Sequence, residues 1–432
     1  MTGAEARDRA RRAFATRFGD LAGAREWWVP GRLELLGKHV DYGGGRSLLA
    51  AVDQGIHVLA RPRRDARVHL TDARSRLSFA GELRADLDAT PGRWTNYPIS
   101  VLRRLARDFP GSGVGMDAIL SSSLPSAAGL SSSSALVIAT WLPLAAFNRI
   151  AERPEARRAF AHEGDLPGYL GAVENGLAFG EFPPDFGVGT LGGSQDHTAI
   201  LACQAGRVSQ FRFLPVAAEG SVALPEAWCF VVVSSGVHAA KAGAVRARYN
   251  RLSTEMAEII ATWNAARRTR ATSLLDILAE PNAREQLEGM LDDAALRARL
   301  AQFAAETMEI IPAAREAFAQ ADATGLGAAV DRSFELADAV LRNQVDETRY
   351  LVAEARRQGA IAASAFGAGF GGSVWALSTR QEAAAFEARW LEAYRSAFPA
   401  RAKAAVAFRS TAAAGAHEIG PASAPPPGAD SV

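Results

Sequence analysis

The stretch LPSAAGLSSSSALVIATWL, residues 124–142, carries the strongest local signal in the sequence. Small residues from Ser126 to Ser134 allow the backbone to approach a ligand closely, and an apolar helical pattern follows directly. The amide groups at the start of a helix are unpaired and carry partial positive charge, which favours phosphate binding. Serine hydroxyls can add hydrogen bonds or a ligand for Mg²⁺. The stretch therefore predicts a phosphate-binding loop, and the alternative is a serine-rich turn that only caps a helix.

A second glycine-rich stretch, GAGFGG at residues 367–372, matches the pattern G-x-G-x-x-G literally. A dinucleotide-binding fingerprint requires a helix directly after those glycines. Here SVWALST follows instead, and its alternation predicts a strand. The pattern thus favours a glycine loop between two strands, either in a hairpin or packed against a ligand.

A polar stretch near the N-terminus, PGRLELLGKHVDYGGG at residues 30–45, contains one of only three lysines, Lys38, in a chain with 45 arginines. Its GK pair does not fit a P-loop, because the glycine spacing is one residue too long and a histidine follows the lysine. Arg32 enters a predicted buried strand, where a guanidinium needs an anionic partner. That partner is either a structural carboxylate or a substrate phosphate.

The stretch GTLGGSQDHTAIL, residues 189–201, places Asp196 between a glycine-rich turn and an apolar run. An aspartate there can accept a proton from a substrate hydroxyl, or it can cap the start of a helix. Phosphoryl transfer requires backbone donors for phosphate, a ligand for Mg²⁺, a cation and an aspartate that orients the acceptor. Because each part has a candidate, the sequence predicts phosphoryl transfer.

Three of these stretches together resemble the GHMP family of small-molecule kinases, and most closely its galactokinase branch. PGRLELLGKHVDYGGG is similar to P-G-R-x-N-L-I-G-E-H-x-D-Y-x-G-G, LPSAAGLSSSSAL to the phosphate loop P-x-x-x-G-L-S-S-S-A, and AFGAGFGGSVWAL to G-x-G-F-G-G-x. They occur in the family's order. The resemblance implies an α+β, two-domain fold with the active site in the interdomain cleft. It also implies ATP, Mg²⁺ and a kinase acting on the anomeric C1 hydroxyl of a sugar, most simply galactose.

The resemblance also implies roles for individual residues. Asp196 would be the catalytic aspartate facing the C1 hydroxyl, and Arg32 would stabilise the transferring phosphoryl group and keep Asp196 ionised. Mg²⁺ would be bound by Ser133 and Glu174, although the insertion FGEFPPDFGVGT lengthens the family spacing between Glu174 and Asp196. The sugar-binding positions would be Lys38, His39, Asp41, Gly193 and Tyr249. The nucleotide-binding positions would be Ser126, Ala127, Ala128, Gly129, Leu130, Ser131, Ser132, Ser133 and Trp94, and Trp94 has an alternative role as a core anchor of its helix.

The sequence departs from the branch pattern mainly in the sugar motif. Lys38 replaces a glutamate, Glu34 an asparagine and Val40 a threonine, and the aspartate motif reads GSQD in place of G-I-M-D. Because an ammonium group only donates hydrogen bonds, Lys38 could bind an acidic or phosphorylated sugar, pair with Glu34 or Asp41, or face solvent. The rival functions are the same chemistry on arabinose or a uronic acid, and a catalytically weak regulator that binds sugar and ATP. A kinase for a non-sugar alcohol is disfavoured by the H-x-D-Y-x-G-G residues.

Composition and pattern set the remaining expectations. A net charge of +1 gives no general attraction to nucleic acid or membranes, and no apolar run reaches the roughly 18 residues of a membrane span. Two cysteines in apolar contexts predict a reduced, cytoplasmic protein, which we expect to be a monomer or weak homo-oligomer. A shift from strand-rich to helix-rich pattern predicts domains at 1–215 and 216–419, and the composition of 420–432 predicts a disordered tail.

Overall fold

A computed structural model of the chain describes residues 3–90, 92–125, 129–237 and 243–422. The predicted phosphate-loop residues Ser126, Ala127 and Ala128 lie outside the described residues, as does most of the predicted tail. The described part consists of two sheets with packed helices, which confirms the α+β class.

The larger sheet contains eight of the described strands. They are β1 (Arg25–Leu36), β2 (Arg46–Pro62), β3 (Arg67–Asp72), β4 (Ser78–Glu82), β5 (Met116–Ser122), β6 (Arg207–Arg212), β7 (Ala217–Ala223) and β12 (His417–Pro421). The order is β12-β1-β2-β5-β3-β4, and β6 pairs with both β2 and β7. Most neighbouring strands pair antiparallel, but β3 and β5 pair in parallel, and a helix at Asn96–Asp108 lies in the connection between β4 and β5.

The smaller sheet has the order β11-β8-β10-β9 and is antiparallel throughout. Its strands are β8 (Trp228–Ser234), β9 (Ala362–Ala365), β10 (Ser373–Thr379) and β11 (Val406–Ser410). Alternate residues of β8 belong to two different cores, with Phe230 in one and Val231 in the other. Both faces of this sheet are therefore buried, which explains why β8 reads as a continuous apolar run.

Helices cover both sheets. They are α1 (Gly3–Phe18), α2 (Asn96–Asp108), α3 (Ser132–Phe147), α4 (Pro154–Ala159), α5 (Asp165–Asn175), α6 (Gln195–Ala202), α7 (Gly243–Arg267), α8 (Leu274–Leu278), α9 (Ala283–Met290), α10 (Ala294–Ala304), α11 (Ile311–Ala319), α12 (Ala323–Leu336), α13 (Asp346–Arg357) and α14 (Ala383–Ala397). Short 3₁₀ turns occur at Asp41–Gly43 and Ile150–Glu152, and π-helical turns follow α10 and α12 at Ala305–Ile310 and Ala337–Leu341.

The main core is shared between the two sheets. It joins Leu33 and Leu35 of β1, Val137 of α3, Phe230 of β8 and Trp375 of β10. The indole Nε1 of Trp375 donates a hydrogen bond to the carbonyl oxygen of Glu34 at 3.1 Å, which ties the second sheet directly to β1. The strand that carries the N-terminal motif is thus held from both halves of the chain.

Two predicted boundaries differ from the structure. The domain boundary expected near residue 215 falls in the turn between β6 and β7, which pair with each other in the larger sheet. The chain passes to the second sheet only at Trp228, because the strand-rich segment includes the hairpin partner β7. The predicted start of the disordered tail, residue 420, is also too early, since Gly420 and Pro421 pair with Glu26 and Arg25 at the sheet edge.

Candidate active site

The N-terminal motif begins on β1 and continues into a tight loop. Alternation along β1 directs Leu33 and Leu35 into the core, while Arg32 and Glu34 line a cleft. The cleft opens between the two sheets, as expected for the predicted active site.

The three glycines at positions 43 to 45 allow helices of the C-terminal half to pack against this loop. A methyl group at Gly43 would lie 2.7 Å from the Met256 side chain, and one at Gly45 would lie 2.9 Å from Phe303. Gly44 has φ of +77° and faces Ser273, a backbone conformation that L side chains rarely adopt. These glycines therefore serve close packing and turn geometry and are not among the residues that line the cleft.

Two charged residues of the segment 299–306 hold the same loop, and neither was predicted from the sequence. Glu306 accepts a hydrogen bond from the backbone amide of Gly37 at 2.7 Å and from the hydroxyl of Ser333 at 2.9 Å. Arg299 donates to the backbone carbonyl of His39. Glu306 lies in the π-helical turn after α10.

The predicted catalytic pair is in contact. The Nε atom of Arg32 lies 2.6 Å from Oδ1 of Asp196, and its Nη1 atom donates to the carbonyl oxygen of Gly129 at 2.7 Å. Arg32 is 3 % exposed, whereas the Asp196 side chain is 23 % exposed toward the cleft. The anion that the buried guanidinium requires is thus the carboxylate of Asp196. Asp196 lies inside α6, so it is not the capping residue, a position that Ser194 occupies.

The described part of the predicted phosphate loop converges on the same arginine. Gly129 precedes α3, and Ser131, the residue before its first turn, has a left-handed φ of 58°. The glycine loop of the C-terminal motif packs alongside, since a methyl group at Gly367 would lie 3.2 Å from Arg32 Nη2. Three stretches, of which the first and last are more than 300 residues apart in sequence, therefore meet at Arg32.

The serines at the start of α3 differ in their surroundings. Ser132 is exposed, and Leu130 is buried with its carbonyl oxygen accepting from the Arg32 amide at 3.4 Å. The Oγ atom of Ser131 is buried and has no hydrogen-bond partner among the described residues. An unsatisfied buried hydroxyl beside free helix amides fits the oxygen-rich phosphates of a nucleotide.

The predicted metal-binding glutamate also faces the cleft. Glu174 accepts a hydrogen bond from the hydroxyl of Ser134 at 2.8 Å, and its Oε2 atom lies 3.0 Å from His197 Nε2. Ser133, the predicted serine ligand, lies one residue earlier and is half-buried. Within the described residues no cluster of three or more acidic, histidine or cysteine side chains could hold a metal. Mg²⁺ needs only one or two carboxylates when it is also bound by substrate phosphates, so Glu174 with a serine hydroxyl fits this ion.

The insertion after Glu174 does not displace this residue from the site. The segment is fixed to α2 through Asp185, which forms an ion pair with Arg103 at 2.7 Å. The backbone amide of Val188 donates to the carbonyl oxygen of Glu174 at 2.9 Å. Glu174 and Asp196 therefore line the same cleft although the chain between them is long.

Four of the five predicted sugar-binding residues line the cleft: His39, Asp41, Gly193 and Tyr249. The rings of His39 and Tyr249 are 5.6 Å apart, and His39 Nε2 lies 3.2 Å from the Ala368 carbonyl oxygen. Asp41 Oδ2 accepts the backbone amide of Gln195 at 3.1 Å. Burial raises the pKa of Asp41 to about 6, and the hydrogen bond from Gln195 opposes that shift.

Lys38, the fifth predicted sugar-binding residue, is not among the cleft-lining residues. Its side chain is 2 % exposed, so the alternative in which it faces solvent is wrong. Its Nζ atom lies 3.8 Å from Oε1 of Glu34, a buried carboxylate, which confirms the alternative of an internal pair. Burial raises the pKa of Glu34, and the charge of Lys38 opposes this.

Other cleft residues were not predicted from the sequence. Asn175, Thr190 and Gln195 line it as well, and the amide oxygen of Asn175 accepts from the Thr190 hydroxyl at 3.0 Å. The only feature of the sequence that could have indicated these three residues is that they are polar and lie close to the recognised motifs. Trp94 is half-buried and packs against the main core, in keeping with its alternative role as an anchor, while its predicted position near adenine stays a prediction.

Comparison with known proteins identifies the family. A model described as the galactokinase galactose-binding signature matches residues 12–62, one for the GHMP kinase N-terminal domain matches 96–166, and one for the GHMP kinase C-terminal region matches 284–396. Together these matches cover more than half of the chain. The chain belongs to the GHMP kinase family, in its galactokinase-like branch.

Curated relatives agree with this assignment. The galactokinase of Chloroflexus aggregans is 38% identical over 127 residues, or 28% of this chain and 31% of that protein. The galactokinase of Chloroflexus aurantiacus is 31% identical over 216 residues, or 50% of each. The matched region thus spans between about a third and a half of the length of these relatives.

Solved structures confirm the fold across almost the whole chain. The crystal structure of Lactococcus lactis galactokinase complexed with galactose has a TM-score of 0.76 at 22% identity, covering 95% of this chain and 98% of that one. The structure of L. major mevalonate kinase with R-mevalonate has a TM-score of 0.53 at 16% identity, covering 90% and 96%. Among the described residues, no helix has both the length and the apolar character needed to span a membrane.

Proposed function

We propose that this GHMP kinase transfers the γ-phosphoryl group of ATP to the anomeric C1 hydroxyl of a monosaccharide, and that the sugar is galactose. The observation that carries the proposal is the contact of Arg32 with both Asp196 and Gly129. One side chain thereby joins the residue predicted to face the acceptor hydroxyl to the loop predicted to bind phosphate. The galactokinase galactose-binding signature at residues 12–62 and the galactokinase relatives support the choice of sugar.

In this proposal Asp196 orients the acceptor hydroxyl and accepts its proton as the bond to phosphorus forms. The guanidinium of Arg32 favours the ionised carboxylate, since it lies 2.6 Å away. Its remaining donors face the phosphate side, where they oppose the negative charge that spreads over the transferred group. Because Arg32 is buried and fixed at two points, little reorganisation is needed when that charge develops.

The nucleotide and metal would be bound on the other side of Arg32. The start of α3, with the unsatisfied Ser131 hydroxyl, would bind phosphate oxygens. Glu174 with Ser133 or Ser134 would bind Mg²⁺, which supplies positive charge to the phosphates when present. Ser133 was the predicted ligand, and Ser134 is the serine whose hydroxyl contacts Glu174.

A neutral sugar fits the cleft better than a uronic acid or a sugar phosphate. An acidic substrate would need a free cation on the sugar side, and the ammonium of Lys38 is buried against Glu34. The carboxylate of Asp41 and the aromatic pair His39 and Tyr249 instead offer acceptors and ring surfaces to hydroxyl groups. We therefore place galactose ahead of the acidic alternatives.

The test is ADP release from the purified chain with ATP, Mg²⁺ and galactose, arabinose, galacturonate, glucuronate or N-acetylgalactosamine in turn. Asp196→Asn should abolish turnover while ATP still binds, because the amide cannot take the proton. Asp292→Asn, at an exposed position away from the cleft, is the matched control and should leave turnover unchanged. Full activity of Asp196→Asn, or turnover with none of the sugars, would overturn the proposal.

We also infer that the enzyme works in the cytoplasm as a monomer or weak homo-oligomer. Cys203 and Cys229 are both buried free thiols, which suits a reducing compartment. Sedimentation at several concentrations would test the oligomeric state.

A further inference from the structure

A buried charge pair lies directly beneath the proposed reactive pair. Glu34 follows Arg32 by two residues on β1, and both side chains point to the same side of the strand. The side chains of Glu34 and Lys38 are 4 % and 2 % exposed, and Nζ lies 3.8 Å from Oε1. Neither of these two atoms has a hydrogen-bond partner in the described part of the chain, so charge is their main interaction.

The second oxygen of Glu34 connects the pair to the catalytic helix. Oε2 of Glu34 accepts a hydrogen bond from Nε2 of Gln195 at 2.6 Å, and Oε1 of Gln195 accepts from the hydroxyl of Ser47 at 2.8 Å. The backbone amide of Gln195 donates to Asp41 at 3.1 Å. Gln195 is the first residue of α6, and Asp196 is the next. Glu34 therefore fixes the turn that presents Asp196.

The positive charge of Lys38 offsets the negative charge of Glu34 in this arrangement. The charged groups that act on Glu34 are Arg32 and Lys38 from its own segment and Asp196 from α6. Without Lys38, an ionised Glu34 would repel Asp196 and attract Arg32 away from it. With Lys38 present, the two charges of the buried pair cancel, and Arg32 remains paired with Asp196.

We propose that Glu34 and Lys38 are positioning residues for phosphoryl transfer: a neutral buried pair that holds Gln195 and leaves Arg32 to Asp196. This proposal rests on the proposed function. It also accounts for a feature of the sequence. Glu34, Lys38 and Gln195 are three of the positions that depart from the branch pattern, and Glu34 contacts both of the others. The three departures then form one structural unit.

The test is a double-mutant cycle of Lys38→Met, Glu34→Gln and the combined variant, with Lys403→Met at an exposed lysine as control. Lys38→Met should lower kcat about 10- to 100-fold with little change in the KM for sugar, because it leaves Glu34 without its cation. The loss should grow as the pH rises, since more of Glu34 is then ionised. The combined variant should recover most of the activity and lose that extra pH dependence, and Lys403→Met should match the wild type.

The proposal would be overturned if Lys38→Met lost kcat equally at every pH and the combined variant with Glu34→Gln lost it as well. That result would mean that Lys38 only fills space. If the wild type turns over no sugar, the proposed function fails. Urea unfolding of the same proteins then tests the interaction between Glu34 and Lys38 independently of activity. Lys38→Met should be destabilised more at high pH than at low pH, and Glu34→Gln should remove the difference. Equal stability of Lys38→Met and the combined variant at every pH would refute the pair on this measure as well.

Discussion

Replacing Asp41 by asparagine is expected to stabilise the fold while it weakens sugar binding. Burial raises the pKa of Asp41 from 3.8 to about 6, so the folded protein binds the proton more tightly than the unfolded chain does. For such a group, folding stability is greatest below the unfolded pKa and falls as the pH rises toward the folded pKa. The rise of this pKa from 3.8 to about 6 corresponds to about 3 kcal/mol of lost stability above pH 6, at about 1.4 kcal/mol for each tenfold change in proton affinity.

The assay is urea unfolding of wild type and Asp41→Asn across a pH series. The free energy of unfolding of the variant minus that of the wild type should rise by about 2 kcal/mol between about pH 4.5 and about pH 8. Galactose should bind the wild type less well below pH 6, where protonation removes an acceptor, and this dependence should be absent in the variant. A stability difference that is flat with pH, or that falls as pH rises, would refute the reasoning.

Two further predictions concern the walls of the cleft. Gly193→Ala should raise the Kd for galactose at least about tenfold in calorimetry, because the new methyl group would overlap Oδ2 of Asp41. Gly113→Ala is the control, since no atom lies within 4 Å of the added methyl group. Equal affinities of the two variants would contradict the assignment of Gly193 to the sugar site. Glu306→Ala should lower the unfolding free energy in urea by about 1–3 kcal/mol, because it leaves the Gly37 amide without its acceptor, and Glu306→Gln should lose less. An unchanged stability of Glu306→Ala would show that this hydrogen bond does not hold the loop.

The glycine-rich and serine-rich motifs could be placed from the sequence because their roles are local. The helix after Ser131, the strand after the 367–372 loop and the strand that carries Arg32 depend on short-range pattern, and all three are present. The contact between Arg32 and Asp196 was reachable only through the resemblance, since 164 residues separate them. Local pattern contains no signal for such a pair.

The residues that support the site could not be predicted for a physical reason. Arg299 and Glu306 occur in a long helical segment, where charged residues usually face solvent. Both are buried because α10 packs against the N-terminal loop, a tertiary contact that local sequence does not encode. The predicted boundary near 215 failed for a similar reason, since only pairing with β6 assigns β7 to the larger sheet.

The hydrogen bonds that join Arg299 and Glu306 to the loop at residues 37–39 also constrain how the protein matures. During synthesis the ribosome releases the loop long before these two side chains, which lie 260 and 269 residues after the loop residues that they contact. The N-terminal sheet can pair its neighbouring strands early, but the sugar side of the cleft must wait for the C-terminal half. Contacts of such long separation are slow to form. A nascent chain stalled before α10 should therefore acquire the ability to bind nucleotide analogues before it acquires the ability to bind galactose.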